Sequence, residues 1–151
     1  MTVSMTVNGR LLRVACNPGD ALTDILRKAG FVEVKKGCGM GKCGACTVLM
    51  DGVPVPSCAT FAGKADGHAI TTIRGVEAEA EEFARFLTAE GADQCGFCAP
   101  GFVLMVLAMK RELTSPTEDN VRQYLEGNLC RCSGYEGQLR AIVKYLEAHH
   151  G

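Results

Sequence analysis

The chain opens with short runs of alternating apolar and polar residues that predict strands. Residues 5–7 and 11–14 are β-prone and flank Asn8-Gly9, and an Asn-Gly pair in this position is a strong hairpin signal. Residues 21–29 follow with apolar side chains three and four apart, which is helical spacing, and Gly30 then ends the pattern. We therefore expect a strand hairpin followed by one helix.

Strand signals return after a glycine-rich loop. Residues 46–50 are β-prone and end at Asp51-Gly52, which is a second turn signal. Residues 53–56 return from that turn, and their two prolines restrict this strand to an edge of the sheet. Residues 69–73 predict one more strand, so the first part of the chain is expected to be mostly β-sheet.

From Glu77 onward the spacing of apolar residues is helical. The pattern predicts four helices, over residues 77–88, 100–113, 115–125 and 138–148. Residues 149–151 are expected to form a frayed end. The change of pattern predicts an α+β protein of two domains, a sheet-rich one at residues 1–75 and a helical one at residues 76–151.

Composition and charge exclude several classes of protein. With 16 basic and 17 acidic residues the net charge is -1, which gives no basis for binding nucleic acid or an anionic membrane. The longest apolar run, residues 102–109, is too short to span a bilayer. The first residues do not resemble a signal peptide. We therefore expect a cytoplasmic protein whose nine cysteines stay reduced or hold metal.

Three of the cysteines lie close together in the glycine-rich loop. Cys38, Cys43 and Cys46 have the spacing Cys-x4-Cys-x2-Cys, with glycines between them. Glycine permits the positive φ angles that a loop needs when it wraps tightly around an inorganic group. The spacing is that of plant-type ferredoxins, in which a fourth thiolate from further along the chain completes the site of a [2Fe-2S] cluster. Cys58 is the candidate for that fourth ligand.

Four more cysteines form two pairs in the helical part. Cys95 and Cys98 lie in Gln-Cys-Gly-Phe-Cys, and Cys130 and Cys132 lie in Leu-Cys-Arg-Cys. Each pair is predicted at a helix start or between helices, where free N–H groups can donate to thiolates, so we expect a second site of four thiolates. Structural zinc stays an alternative, although its ligands are usually spaced Cys-x2-4-Cys, and so does a disulfide protein. Cys16 is left over and is expected to be an apolar spectator.

Together these motifs resemble the small iron-sulfur subunit or domain of the xanthine oxidase family of molybdenum hydroxylases. The resemblance extends over residues 8–142, nearly the whole chain. It implies a ferredoxin-like β-grasp fold for the first half and a four-helix bundle for the second. It also implies two [2Fe-2S] clusters on this chain, molybdopterin on a large partner subunit and FAD on a medium one.

The resemblance implies a role for each candidate site residue. The cluster facing the flavin subunit would be held by Cys38, Cys43, Cys46 and Cys58. The cluster facing the molybdopterin subunit would be held by Cys95, Cys98, Cys130 and Cys132. Gln94 and Cys132 would also lie against the pterin.

Three positions depart from the pattern of that family. Ala99 and Ser133 stand where the family often has threonine. Serine keeps a hydroxyl, whereas Ala99 cannot make a hydroxyl hydrogen bond. Gln138 stands where the family usually has an apolar residue; we expect this to affect how the last helix packs or what it contacts, and not to bear on the clusters.

The function predicted for the chain is electron transfer. We expect it to have no catalytic residue of its own. The glycines in Gly39-x-Gly41-x-x-Gly44 match a dinucleotide-binding pattern, but they lack the βαβ context which that pattern requires, so we do not expect a nucleotide site there. We expect the chain to relay electrons from a molybdopterin centre through two clusters to a flavin subunit or an external acceptor. Substrate oxidation would then occur on a partner chain. A free-standing ferredoxin-type electron carrier is the alternative.

Overall fold

Residues 1–150 are described by a computed structural model, and the first half of the chain is built on a five-stranded mixed sheet. β1 (Thr2–Val7) and β2 (Arg10–Ala15) form one hairpin, and β3 (Thr47–Met50) and β4 (Val53–Pro56) form another. β5 (Ala69–Thr71) lies between the hairpins, so the strand order is β2-β1-β5-β3-β4. In this sheet the β1–β5 pairing is parallel and the other three pairings are antiparallel.

Local sequence explains both hairpins. Asn8 and Gly9 have φ angles of 49° and 77°, and two consecutive positive φ angles define the turn that suits the twist of a two-residue hairpin. Asp51 and Gly52 form a turn of the same kind in the second hairpin, with φ angles of 50° and 82°. The strand that carries Pro54 and Pro56 lies at the edge of the sheet, as predicted, where a missing N–H donor is tolerated.

Helix α1 (Leu22–Lys28) packs on the sheet and closes the first core. β1 alternates between buried and partly exposed residues, which is the pattern of a strand with one face on a core. Cys16 lies in this core, away from the other cysteines, as predicted for an apolar spectator. The core is completed by residues of the other strands and of α1, among them Val3, Met5, Val7, Leu22, Ile25, Leu26, Val48 and Ile70.

The second half, as predicted, is helical. Its four helices are α2 (Glu77–Ala89), α3 (Ala99–Glu112), α4 (Glu118–Tyr124) and α5 (Glu136–His150). A 3-10 turn, Ile73–Val76, leads into α2, so the last predicted strand is shorter than expected. The helices enclose a core that includes Phe83, Phe102, Val106, Val121, Ile142, Tyr145 and Leu146.

The prediction that the end of the chain frays is wrong for residues 149 and 150. α5 continues through His150. The imidazole of His149 stacks on the Tyr145 ring with centroids 4.4 Å apart, and its Nε2 lies 3.1 Å from a carboxylate oxygen of Glu82 on α2. These contacts hold the last turn in place. Gly151 lies outside the described residues.

Helix α3 connects the two halves. Leu104 and Ala108 of α3 pack against Leu49 of β3 in a small apolar cluster, and the Arg111 guanidinium donates to the Gly52 carbonyl oxygen at 2.8 Å. The middle and the end of α3 are thereby held against β3 and the turn that follows it. No helix within residues 1–150 is both long and apolar enough to cross a membrane.

Candidate metal centres

The glycine-rich loop turns its backbone N–H groups towards sulfur atoms. The Cys38 sulfur accepts from the N–H of Met40 at 3.4 Å and of Lys42 at 3.3 Å. The N–H of Gly41 donates to the Cys58 sulfur at 3.1 Å. Gly41 has a φ of 76°, which L side chains rarely adopt, so glycine is needed to aim this donor.

The returning strand β4 brings Cys58 to the loop. A 3-10 turn follows the strand, and in it the buried hydroxyl of Ser57 donates to the Cys46 carbonyl oxygen at 2.6 Å. The sulfurs of Cys46 and Cys58 contact each other, as do those of Cys38 and Cys43. The four predicted cysteines of the first site are therefore brought together as two contacting pairs.

Backbone donors of the loop lower the pKa of one thiol of this site, and burial raises the pKa of another. Hydrogen bonds from the backbone of Met40, and then of Lys42, lower the pKa of Cys38 to about 6. Burial raises the pKa of Cys58 to about 11, and the neighbouring Cys46 sulfur adds to the effect. Cys38 is therefore prepared to be a thiolate, while Cys58 needs a nearby cation, because a coordinating metal deprotonates a thiol.

The second set of cysteines lies at the start of α3 and in the connection from α4 to α5. The Cys98 sulfur contacts that of Cys130, and the Cys95 sulfur contacts that of Cys132. The four cysteines line a cavity of about 50 Å³. These predicted site residues are also brought together as two contacting pairs.

Hydrogen bonds from Ser133 favour the charged form of Cys130. Burial disfavours the Cys130 thiolate, but bonds from the Ser133 hydroxyl and backbone outweigh it, so the pKa of Cys130 is lowered. At Cys98 burial dominates and raises the pKa to about 11, assisted by Cys130. The Ser133 backbone N–H donates to the Cys130 sulfur at 3.4 Å, and the Ser133 hydroxyl also lowers the pKa of Cys130, whereas Ala99 begins α3 without a hydroxyl.

Two further residues orient this site. The Gln94 side-chain amide donates to the Cys132 carbonyl oxygen at 3.1 Å, which ties together the two segments that carry cysteines. The Tyr135 hydroxyl accepts from the Cys130 N–H at 3.1 Å, and Tyr135 itself has a φ of 71°. Sequence reasoning did not assign a role to Tyr135, and the only available signal was a tyrosine directly after Gly134.

The second site is open on one side. Cys95 and Cys132 are exposed, whereas Cys98 and Cys130 are partly covered. Apolar side chains surround the opening, with Phe97 48% and Leu129 53% exposed. Exposed apolar groups beside a functional site indicate a surface that another molecule covers.

The two cysteine sites touch each other through the backbone. The N–H of Leu129 donates to the Cys43 carbonyl oxygen at 2.9 Å. A Cβ built on Gly101 would lie 2.2 Å from the Gly44 carbonyl oxygen, so the start of α3 packs directly on the glycine-rich loop. The edge of the Phe97 ring also reaches the position that a Cβ of Gly37 would take, at 3.7 Å.

The arrangement of the thiols distinguishes between metals. Tetrahedral zinc needs four ligands around one centre. A [2Fe-2S] cluster is held by four thiolates, two at each iron, which suits cysteines that meet in pairs. All nine cysteines are free. The donors present therefore fit two-iron clusters.

The fold and the two thiol sites define a protein with two [2Fe-2S]-binding domains. Residues 5–70 match the family described as a 2Fe-2S iron-sulfur cluster binding domain, and residues 72–143 match the one described as a [2Fe-2S] binding domain. Between them the two families account for most of the chain.

Similar proteins of known function are iron-sulfur subunits of dehydrogenases. It is 41% identical over 151 residues, 95% of this chain and 92% of the relative, to the xanthine dehydrogenase iron-sulfur-binding subunit of Escherichia coli O157:H7. It is 39% identical to the nicotinate dehydrogenase small FeS subunit of Eubacterium barkeri, over 96% of this chain and 94% of that one.

A solved structure agrees with these relatives. A chain of quinoline 2-oxidoreductase from Pseudomonas putida 86 superposes with a TM-score of 0.89 at 37% identity, over 99% of this chain and 95% of that one. The chain belongs to the small iron-sulfur subunits of the xanthine dehydrogenase family of molybdenum hydroxylases. It is the electron-transfer component of an enzyme built from several chains, so the fold and the function predicted from the sequence are confirmed.

Proposed function

We propose that this chain relays electrons from a large molybdopterin-binding subunit to a medium FAD-binding subunit, through one [2Fe-2S] cluster in each half. Each cluster, when bound, carries a single electron, so two clusters in series divide the pair released by substrate oxidation. The names of its relatives include xanthine, nicotinate and nicotine. They support an N-heterocycle as the substrate class of the complex. The nine free thiols support a reducing compartment such as the cytoplasm.

Eight cysteines hold the clusters in this proposal. The first cluster is bound by Cys38, Cys43, Cys46 and Cys58, and the second by Cys95, Cys98, Cys130 and Cys132. The pairwise sulfur contacts within each set support the assignment. The backbone donors around Cys38 and Cys58 would stabilise the additional negative charge of a reduced cluster.

The open side of the second site faces the molybdopterin subunit. Gln94 uses its amide nitrogen on the Cys132 carbonyl, which leaves its amide oxygen to accept a hydrogen bond from a cofactor on the partner. Cys132 is exposed on the same side. These two positions are the ones assigned to the pterin contact, and the exposed Phe97 and Leu129 give the partner an apolar rim on which to pack.

The first site faces the flavin subunit. Two large apolar side chains, Met40 in the glycine-rich loop and Phe61 shortly after Cys58, are each 64% exposed. Lys42 lies in the same loop, and its backbone N–H already contacts the Cys38 sulfur. Exposed apolar side chains in and near the loop, with a lysine among them, support docking of another subunit at this end.

The observation that carries the relay is the hydrogen bond from Leu129 to Cys43. Cys43 is a ligand of the first site, and Leu129 is covalently bonded to Cys130, a ligand of the second. One hydrogen bond and a few covalent bonds therefore join ligand to ligand. A chain built only to hold two independent clusters would not need this contact.

Purification of the native assembly tests the proposal. We expect about four iron atoms per chain, two distinct EPR signals after reduction with dithionite, and molybdenum and flavin on accompanying subunits. Cys43→Ser should remove the signal of the first site, while Cys16→Ser, the matched control, should leave both. An iron-loaded chain that purifies without any molybdenum subunit would instead support a free-standing ferredoxin, and a zinc-loaded chain would exclude both functions.

A further inference from the structure

Gln138 is a polar residue on the buried face of α5. It is 5% exposed and lies in the first turn of the helix, next to the core residue Leu139. Three other buried polar side chains have partners, since the hydroxyls of Thr47, Ser57 and Thr60 donate to backbone carbonyl oxygens. Within residues 1–150 no protein group bonds to the Gln138 side-chain amide, and its nitrogen and oxygen both keep access to open space, since neither is a fully buried atom without a partner.

The surroundings of Gln138 indicate where its amide finds a partner. Its side chain lines the cavity between the paired cysteines of the second site, together with Cys98 and Cys130. The same residue borders an outer pocket beside Leu125 and Tyr135. A side-chain amide has two N–H donors and one acceptor oxygen, so a group that fills the cavity beside the cysteines can accept a hydrogen bond from it.

We propose that the Gln138 amide donates a hydrogen bond to a sulfur atom of the cluster held by Cys95, Cys98, Cys130 and Cys132. Reduction adds one negative charge to such a cluster, and a donor aimed at its sulfur stabilises that charge. Gln138 therefore raises the reduction potential of the second cluster. The proposal rests on the cluster assignment in the proposed function and adds a residue that changes the reduction potential of the second cluster.

A higher potential at this site has a direct consequence for the relay. The second cluster is the one that receives electrons from the molybdopterin subunit. Stabilising its reduced form shifts the electron-transfer equilibrium from the molybdenum centre towards this cluster. An apolar side chain of the same size would fill the space without donating. Gln138→Met and Gln138→Leu are therefore the informative variants, because both retain volume and lose the amide.

A redox titration of the native assembly, followed by EPR, tests the proposal. At a fixed applied potential we expect the ratio of reduced to oxidised second cluster to fall three- to tenfold in both variants, a tenfold change corresponding to about 59 mV for a one-electron couple. The first cluster should keep its ratio and serves as an internal control. Leu139→Met, which alters packing in the same helical turn, should leave both ratios unchanged.

Pulsed EPR gives a second readout. In deuterium oxide the reduced second cluster of the wild type should lose a coupling to an exchangeable proton, and Gln138→Met should lack that coupling from the start. The proposal is overturned if both variants retain the wild-type ratio and coupling, or if they lose iron from the second site. A wild-type assembly without any second iron-sulfur signal would instead overturn the relay function.

Discussion

The backbone N–H of Leu129 donates to the carbonyl oxygen of Cys43 at 2.9 Å, and this bond connects two loops that come from opposite halves of the chain. The two halves also meet closely at the start of α3, because nothing larger than hydrogen projects from Gly101 towards the Gly44 carbonyl oxygen. Separation between the two cysteine sites is therefore set by backbone packing rather than by flexible side chains.

Gly101→Ala should loosen this contact. A Cβ at this position would lie 2.2 Å from the Gly44 carbonyl oxygen, and forcing the loops apart should cost roughly 1–3 kcal/mol of unfolding free energy, the usual range for overpacking. Thermal melts should show the loss, and flash reduction should show slower electron exchange between the two clusters. Gly127→Ala is the control, since no atom lies within 4 Å of a Cβ there. Equal melting of both variants would contradict the prediction.

Gly37→Ala should affect the first site alone. Its new methyl group would lie 2.8 Å from the Cys43 sulfur, which is inside van der Waals contact, so Cys43 must move away from the position in which it meets Cys38. We expect the iron content to fall by about half, with the EPR signal of the second site retained. Gly19→Ala, where a Cβ would meet open space, should keep all the iron. Loss of both signals would show that the sites are not independent.

Tyr135→Phe should weaken the second site. The phenol oxygen accepts from the Cys130 N–H, and losing one such bond costs about 0.5–1.5 kcal/mol. We expect a chelator to remove iron from the second site several times faster than in the wild type. Tyr124→Phe is matched to this change, because its hydroxyl bonds to Glu112 and not to a residue of either site. Identical rates for the two variants would refute the assignment of Tyr135.

Glu90→Gln should destabilise the helical half in a pH-dependent way. Its carboxylate pairs with Lys144 and lies 2.9 Å from the Arg140 Nε, which joins the end of α2 to α5. Lys144, and then Arg140, lower the pKa of Glu90 from its ordinary value of 4.5. A lowered pKa stabilises the fold above the ordinary value, and that contribution disappears as the pH falls through the folded-state pKa.

The difference in melting temperature between Glu90→Gln and the wild type should therefore be largest near pH 7 and shrink below about pH 4.5. Circular dichroism of the helices across this range measures it. Glu147→Gln, an exposed change on α5, controls for the loss of a surface charge. A difference that is the same at every pH would show that the ion pairs are not responsible.

Sequence patterns predicted the parts of this protein that depend on neighbouring residues. The two hairpins followed from Asn8-Gly9 and Asp51-Gly52, because positive φ angles at two consecutive positions are a local property. The apolar spacing of α3 and α5 predicted both helices to within a few residues at each end. The spacing of the cysteines identified the two sets that the structure brings together.

Contacts between distant segments were beyond the reach of those patterns. The bond from Leu129 to Cys43 joins residues from different halves, and no local spacing encodes it. The final turn of α5 was predicted to fray as a chain end, whereas contacts of His149 with Tyr145 and Glu82 hold it. The roles of individual cysteines and of Gln94 stay predictions until metal is measured on the protein.

The exposed position of Cys95 and Cys132 constrains the order in which the enzyme matures. Iron and sulfide can enter the second site only while its outer side is uncovered, and a docked subunit would close that route. If the partner subunit docks at this side as proposed, loading must precede assembly. A loaded chain would then stay open to oxygen at this one end until the partner covers it.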